Sequence, residues 1–223
     1  MATSETIMIK GAIFDLDGTL IDSMFIYENM AHEMLAESGV EAPADIRQRM
    51  RRMTLQQMAA WVKSEFGLAE SEEEIVAAVV ARIVDFYTNE VKAKAGVPEL
   101  LEAFSQAGVR MCIVTVSERP VVEAALRRND ILKYFGRIIT CGEVGHDKNS
   151  PEIYRAALEY LGTPKDETVV FEDELHTIET AKADGFTVYG VADASVPEQD
   201  RVRELCDVYV EDFYGIAHCF RGA

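Results

Sequence analysis

The stretch Asp15-Leu16-Asp17-Gly18-Thr19-Leu20 places two carboxylates two positions apart, directly after a short apolar run from Ile9 to Phe14. A carboxylate so placed can attack phosphorus and split one difficult displacement into two easier ones through an acyl phosphate. A second carboxyl beside it can protonate the departing oxygen and later take a proton from the attacking water. Gly18 lets the backbone approach closely. Two carboxylates and an incoming phosphate repel one another, so such a site needs a hard cation with oxygen ligands, and Mg2+ suits. The plainer alternative is an acidic turn that uses Asp-Gly as turn chemistry.

Three later stretches bear on that choice. Thr168-Val169-Val170-Phe171-Glu172-Asp173 reads as a strand ending in two adjacent carboxylates. If it neighbours the first strand, Glu172 and Asp173 face Asp15 and complete a metal site; Asp173 alternatively caps the helix that begins near Leu175. Lys148 precedes a helix beginning around Pro151. It either offsets the surplus negative charge of nucleophile and phosphate, or lies in solvent as lysines commonly do. Thr115 ends a strand and offers a hydroxyl and neighbouring N–H groups to phosphate oxygens, although a strand-end threonine needs no such role.

The elements that must position these residues follow a regular alternation. Ile9 to Phe14 reads as a buried strand, followed by similar runs at Arg110–Thr115, Arg137–Thr140, Thr168–Phe171 and Phe186–Val191, with a weaker one at Asp207–Val210. Amphipathic helical patterns lie between them at Val97–Ala107, Arg119–Asn129, Pro151–Leu161 and Leu175–Asp184. Gly108, Gly162 and Gly185 stand where helix stops are preferred. Strand alternating with helix predicts an α/β fold, a Rossmann-like parallel sheet flanked by helices. Residues 23–91 break the rhythm with helical patterns only. Ser23–Glu37 and Thr54–Phe66 form two helices, and a third opens at Ser71 with a capping box completed by Glu74. The expected division is residues 1–22 and 92–223 as the α/β core and 23–91 as an inserted helical domain.

Composition narrows the partners. The 223 residues carry 22 basic and 39 acidic side chains, a net charge of −17. Such a chain repels nucleic acid and anionic membrane surfaces, so any bound phosphate must be held by a local cation. Cys112, Cys141, Cys206 and Cys219 form no C-x-x-C pair, which points to reduced cysteines and a cytoplasmic location. Met1 to Lys10 lacks the pattern of a signal peptide, and the most apolar stretch, Ile75 to Val84, is too short to span a bilayer. The four histidines show no metal-ligand spacing. The oligomeric state is open, with a monomer compatible.

Taken in order, these stretches resemble the four motifs of the haloacid dehalogenase-like superfamily, with a helical cap inserted after the first, over nearly the whole chain. Asp15-Leu-Asp-Gly-Thr-Leu resembles motif one, which implies Asp15 as nucleophile and Asp17 as general acid and base. Ile113-Val-Thr-Val-Ser117 resembles motif two and implies phosphate binding by Thr115 and the Val116 backbone. Asp147-Lys-Asn-Ser-Pro-Glu-Ile-Tyr154 resembles motif three, with Asp147 and Asn149 in place of the usual glycine and proline, and implies a phosphate-binding Lys148. Val169-Val-Phe-Glu-Asp173 resembles motif four. The implied Mg2+ ligands are Asp15, the Asp17 carbonyl and Asp173, with Glu172 a further or water-mediated ligand.

Fold alone does not set the reaction. Dehalogenases of the superfamily lack the second motif-one aspartate, which is present here as Asp17. Phosphonatases carry an early cap lysine, and no lysine occurs between Asp22 and Lys63. β-Phosphoglucomutase-like members carry a cap histidine and a cap arginine where this chain aligns Tyr27 and Leu55, although Arg51 or Arg52 can substitute for the arginine. The resemblance thus implies a Mg2+-dependent phosphatase of a small phosphorylated metabolite. A sugar-phosphate mutase is the alternative within enzymes, and a catalytically idle phosphometabolite-binding protein the alternative outside them. Specificity is expected from Tyr27, Arg51, Arg52 and Glu118, with Arg119 beside it; the cap arginines alternatively form a solvated basic face.

Overall fold

The computed structural model describes residues 8–50, 53 and 55–221, except for the side chains at 27, 28, 47, 48, 220 and 221. The chain forms two compact units, Met1–Asp22 with Val91–Ala223, and Ser23–Glu90. The strands are β1 (Gly11–Phe14), β2 (Ile21–Asp22), β3 (Lys92–Ala93), β4 (Arg110–Thr115), β5 (Arg137–Thr140), β6 (Thr168–Glu172), β7 (Thr187–Val191) and β8 (Val208–Val210). Six of them build one parallel sheet in the order β5-β4-β1-β6-β7-β8, the α/β architecture expected from the sequence. β2 and β3 pair antiparallel as a short ribbon, with Asp22 opposite Lys92.

In the second unit, α1 (Ile26–Glu37), α2 (Ile46–Met50), α3 (Leu55–Phe66) and α4 (Glu72–Asn89) pack around Met30, Met58, Ala59, Val62, Ile75 and Val79. The capping box at the start of α4 forms, with Ser71 and Glu74 each accepting from the other's backbone N–H. A cavity of about 170 Å³ remains beside Met30, Met34, Met50 and Met58, side chains whose flexibility suits irregular packing. Helix α1 begins at Ile26 rather than Ser23, because the Ile26 N–H closes a tighter turn onto the Ser23 carbonyl.

Around the sheet lie α5 (Val97–Gln106), α6 (Arg119–Arg128), α7 (Cys141–Val144), α8 (Glu152–Leu161), α9 (Leu175–Ala183), α10 (Gln199–Leu205) and α11 (Tyr214–Arg221). β1 is buried along its whole length, as a central parallel strand must be. Phe14 stacks on Phe171 at 4.5 Å between centroids and 9° between planes, with Phe104, Phe135 and Phe213 nearby. Those two rings sit at paired positions of β1 and β6, so the aromatic contact and the strand pairing support one another. Ile13, Cys112, Val114 and Val170 join a second cluster with Ile153, Tyr154 and Ala157 of α8 and Ile178 and Ala181 of α9.

The chain builds outward from β1 through β4 to β5, then crosses back to β6, β7 and β8. This reversal falls at β1, and open α/β sheets place ligands at the carboxyl end of the strand where it occurs.

Candidate active site

Strand register brings the acidic residues together. Phe14 pairs with Ile113 of β4 on one side and with Phe171 of β6 on the other. The next residue on β1 is Asp15, whose N–H donates to the Phe171 carbonyl at 3.0 Å. Glu172 ends β6 and Asp173 follows it, so all three carboxylates emerge at one edge. One carboxylate oxygen from each of Asp15, Glu172 and Asp173 lies within 4.8 Å of the others. Asp15 is 6% exposed and Asp173 1%.

Lys148 is the cation that holds this cluster. It is 5% exposed and donates to Asp15 Oδ1 and, at 2.5 Å, to Glu172 Oε1. It is therefore no solvated loop lysine. The Asp147 side chain accepts from the Asn149 N–H at 3.0 Å, and its carbonyl accepts from the Ser150 N–H at 3.2 Å. That local turn presents Lys148, and it explains how aspartate serves where glycine was expected. Glu172 further accepts from Tyr154 Oη at 3.4 Å and from the Asp173 N–H at 3.2 Å.

Asp173 is not the cap of the helix after it. Glu174 occupies that position, and it makes no side-chain capping bond. The Asp173 side chain accepts instead from Thr19 Oγ1 at 2.9 Å, while its Oδ2 is buried without a hydrogen-bond partner among the described residues. Gly18 stands against this carboxylate with φ +78°, and a Cβ there would collide with it. Only glycine fits both the left-handed backbone and the close approach.

Titration follows from this crowding. Burial pushes the Asp15 carboxyl up to about 8, against the pull of Lys148 and with help from Glu172 and Asp17. Burial likewise raises Asp173 well above the carboxylate range, with Asp15 and Glu172 adding repulsion. For Lys148 burial disfavours the charged form, but the carboxylates of Asp15 and Glu172 outweigh it and keep the ammonium charged.

The donor set fits a hard divalent cation. When ionised, the three carboxylates against one ammonium leave two negative charges in a buried space, all ligand atoms are oxygens, and Asp173 Oδ2 lacks any other partner among the described residues. Glu172 spends both of its oxygens on protein donors, so Asp15 and Asp173 have more to offer an ion directly.

Two of the remaining expected residues, Thr115 and Asp17, are linked through Ser117. Thr115 is buried at the end of β4, and its hydroxyl accepts from the Ser117 N–H at 3.1 Å. Ser117 Oγ donates to Asp17 Oδ2 at 2.6 Å. Val116 is 64% exposed, which leaves its contribution to the backbone. Glu118 is exposed at the start of α6 and makes no capping bond there. Arg119 is engaged within the core unit: its guanidinium donates to Glu143 at 2.5 Å and to the Ile138 carbonyl at 2.8 Å, which fastens α6 to α7 and β5. Arg51 and Arg52, like the side chain of Tyr27, lie outside the described residues. Residue chemistry alone assigned no role to Thr19, Ser117 or Tyr154. All three sit inside the motifs, yet their partners are distant in sequence and become visible only in the fold.

Comparison with known proteins gives the family. Residues 12–191 match the family described as haloacid dehalogenase-like hydrolase. A protein named phosphorylated carbohydrates phosphatase, from Thermotoga maritima, is 29% identical over 185 residues, covering 82% of this chain and 85% of the relative. Validoxylamine A 7'-phosphate phosphatase from Streptomyces hygroscopicus subsp. limoneus is 32% identical over 187 residues, covering 82% and 86%. Among solved structures, CbbY from Rhodobacter sphaeroides in complex with phosphate superposes with a TM-score of 0.73 at 23% identity, covering 94% of this chain and 96% of the other. A Thermotoga maritima protein named provisionally as a beta-phosphoglucomutase gives a TM-score of 0.84 at 24% identity, covering 96% and 100%. At those identities the two structures speak for the fold alone. The extent of the family match and the ordered motifs make the chain an enzyme that belongs to the haloacid dehalogenase-like hydrolases.

Proposed function

We propose that this enzyme, a phosphoric monoester hydrolase, depends on Mg2+ and acts on a small phosphorylated metabolite through a phosphorylated Asp15. The observation that carries the reading is the buried cluster of Asp15, Glu172 and Asp173 around Lys148, at the carboxyl edge of β1 and β6. The relatives named as phosphatases support the same reaction class. Asp15, Asp173 and the Asp17 carbonyl would hold the ion, with Glu172 outside them. When bound, Mg2+ would supply charge neutralisation for the phosphoryl group and for the two carboxylates that must approach it.

An Asp15 carboxylate oxygen attacks phosphorus, and the bond to the leaving alcohol breaks as Asp17 gives that oxygen a proton. Water then attacks the phosphorus of the acyl phosphate and passes its proton to Asp17. The bond from Asp15 to phosphorus breaks, which releases inorganic phosphate and restores both carboxyls. Ser117 holds the Asp17 carboxyl by its hydroxyl. Lys148 balances the charge gathered on the phosphoryl oxygens, and Thr115 with the Val116 N–H receives them. The helical unit acts as the cap that selects substrate, with Tyr27, Arg51 and Arg52 on it and Glu118 on the core. The reading further places the enzyme in the cytoplasm without nucleic acid or membrane partners. The charge of −17 supports this, and no helix of the described residues is long and apolar enough to cross a membrane.

Mutase chemistry is not favoured, since Tyr27 and Leu55 stand where the mutase histidine and arginine would align. The intact set Asp15, Asp17, Lys148 and Asp173 speaks against an idle binding protein. The test is release of inorganic phosphate from a panel of phosphorylated metabolites, with Mg2+ and with chelator, for the wild type and Asp15→Asn. Hydrolysis that needs Mg2+ and disappears in Asp15→Asn is expected. Full turnover by Asp15→Asn would remove the nucleophile assignment, and interconversion of sugar phosphates without phosphate release would favour the mutase.

A further inference from the structure

Outside the acidic cluster, a further ion pair, largely buried, stands at the same edge of the sheet. Lys94, just after β3, donates from Nζ to Asp193 Oδ2 at 2.8 Å and to the Ala192 carbonyl at 2.6 Å. The two side chains are 14% and 6% exposed. Asp193 Oδ1 accepts from the Ser195 N–H at 2.9 Å, so both carboxylate oxygens are engaged. Burial works against this carboxylate, yet the bonds from Lys94 and Ser195 prevail and hold it below the usual range. Removing one partner of such a pair strands a desolvated charge, so the pair persists only where the surrounding backbone keeps both ends in place.

Lys94 is anchored at its other end too. Its N–H donates to the Leu20 carbonyl at 2.9 Å, while the neighbouring Ala93 pairs with Ile21. Leu20 belongs to the loop that carries Asp17, Gly18 and Thr19. That loop is tied to itself through Leu20 N to Leu16 O at 2.9 Å and Gly18 N to Ile21 O at 3.1 Å. From it Thr19 reaches Asp173. Ala192 and Asp193 follow directly on β7, and β7 is bonded to β6, with Gly190 paired to Glu172. In the sheet order β6 lies between β1 and β7. Lys94 therefore joins the loop after β1 to the end of β7, and the two attachment points flank the strand that ends in Glu172 and Asp173.

We propose that Lys94 and Asp193 are positioning residues that fix the Asp17–Leu20 loop against the end of β6, and so set the geometry of the divalent-ion site. This rests on the reading of Asp15, the Asp17 carbonyl and Asp173 as that site. Lys94 itself touches none of these side chains; it acts through the backbone of Leu20. With the strut gone, the loop keeps its internal turn, its backbone bond to Lys94 and the bond from Thr19 to Asp173, but loses its tie to the end of β7, and the Asp17 carbonyl and Thr19 shift relative to Asp173. Supports of this indirect kind around metal sites typically carry ~10- to ~100-fold of affinity or activity.

The experiment compares wild type, Lys94→Met, Lys94→Arg and Asp193→Asn in three measurements. These are Mg2+ affinity of the enzyme without substrate by calorimetry, hydrogen exchange of the Thr19–Ile21 amides, and kcat and KM on p-nitrophenyl phosphate. Lys94→Met is expected to weaken Mg2+ binding ~10- to ~100-fold, to expose the loop amides, and to lower kcat at saturating Mg2+ more than it raises KM. Lys94→Arg keeps a cation in reach of Asp193 and restores most of each value, a rescue that general destabilisation would not give. If Lys94→Met does not fold, Asp193→Asn carries the same test. Wild-type Mg2+ affinity and loop protection in a folded Lys94→Met or Asp193→Asn overturn the proposal. A wild type that binds Mg2+ but releases no phosphate from any member of the metabolite panel overturns the proposed reaction instead, and leaves the binding and exchange measurements to decide the strut.

Discussion

Asp15, the proposed nucleophile, lies in a place that disfavours its charge. Burial raises its carboxyl to about 8 while Lys148 pulls the other way. Between the ordinary carboxyl range and about 8, the ion-free folded protein therefore keeps a proton that the unfolded chain has released. Its stability falls as pH rises through that window, because the folded state binds more protons there. A divalent ion replaces the proton as the balancing charge. Mg2+ binding at pH 7 is thus expected to release protons from Asp15 and from Asp173, whose carboxyl burial also raises, and its affinity is expected to climb with pH. Calorimetry in two buffers of different ionisation enthalpy reads this directly. Identical binding heats in both buffers would show that Asp15 and Asp173 are already ionised without the ion. At this scale the sequence singles out Asp15, Asp17, Lys148, Glu172 and Asp173 by type and neighbours, and the fold gathers four of them, Asp15, Lys148, Glu172 and Asp173, in one buried space. The bond from Thr19 to Asp173 and that from Ser117 to Asp17 did not declare themselves, since their partners lie 154 and 100 residues away.

At the scale of elements, the site depends on one registered pair of strands. β1 and β6 carry Asp15 and Asp173, and the stack of Phe14 on Phe171 holds the two strands level. Phe171 is fully buried, and Phe171→Ala opens a cavity beneath the acidic edge. A loss of ~3–5 kcal/mol is expected, measured by urea unfolding, with Phe171→Leu recovering a good part. Phe171→Ala within ~1 kcal/mol of wild type would mean that this ring pair does not secure the register. The parallel strands were readable because apolar runs bounded by helical patterns are a strong local signal. So was the cap of α4, whose Ser71 and Glu74 lie three residues apart. The two-residue strands β2 and β3 were not readable, because their pairing spans the whole helical unit and two residues carry no period. α10 and α11 span only about two turns each, too short for a hydrophobic period to show.

For the whole molecule, the ribbon of β2 and β3 suggests how separable the two units are. Asp22 and Lys92 end as a paired position, so the chain leaves and re-enters the core at one point. Replacing residues 23–91 with an Asn-Gly turn should close a hairpin there without disturbing the sheet. The resulting core is expected to fold cooperatively and bind Mg2+, while losing most discrimination between phosphorylated substrates. Circular dichroism, calorimetry and the metabolite panel test this together. A shortened core that folds and keeps the full enzyme's substrate ranking would remove the helical unit from selection.

By itself the sequence determined which groups can do chemistry and which class of sheet carries them, because residue type and hydrophobic period are local properties. It also determined the charge field, which is a sum and needs no coordinates. Only the tertiary structure decided that three carboxylates share one buried space with a single ammonium, that Arg119 is spent on Glu143, and that Lys94 reaches Asp193. Those outcomes depend on strand order and register, which bring together residues far apart in the chain and follow from the packing of the whole core.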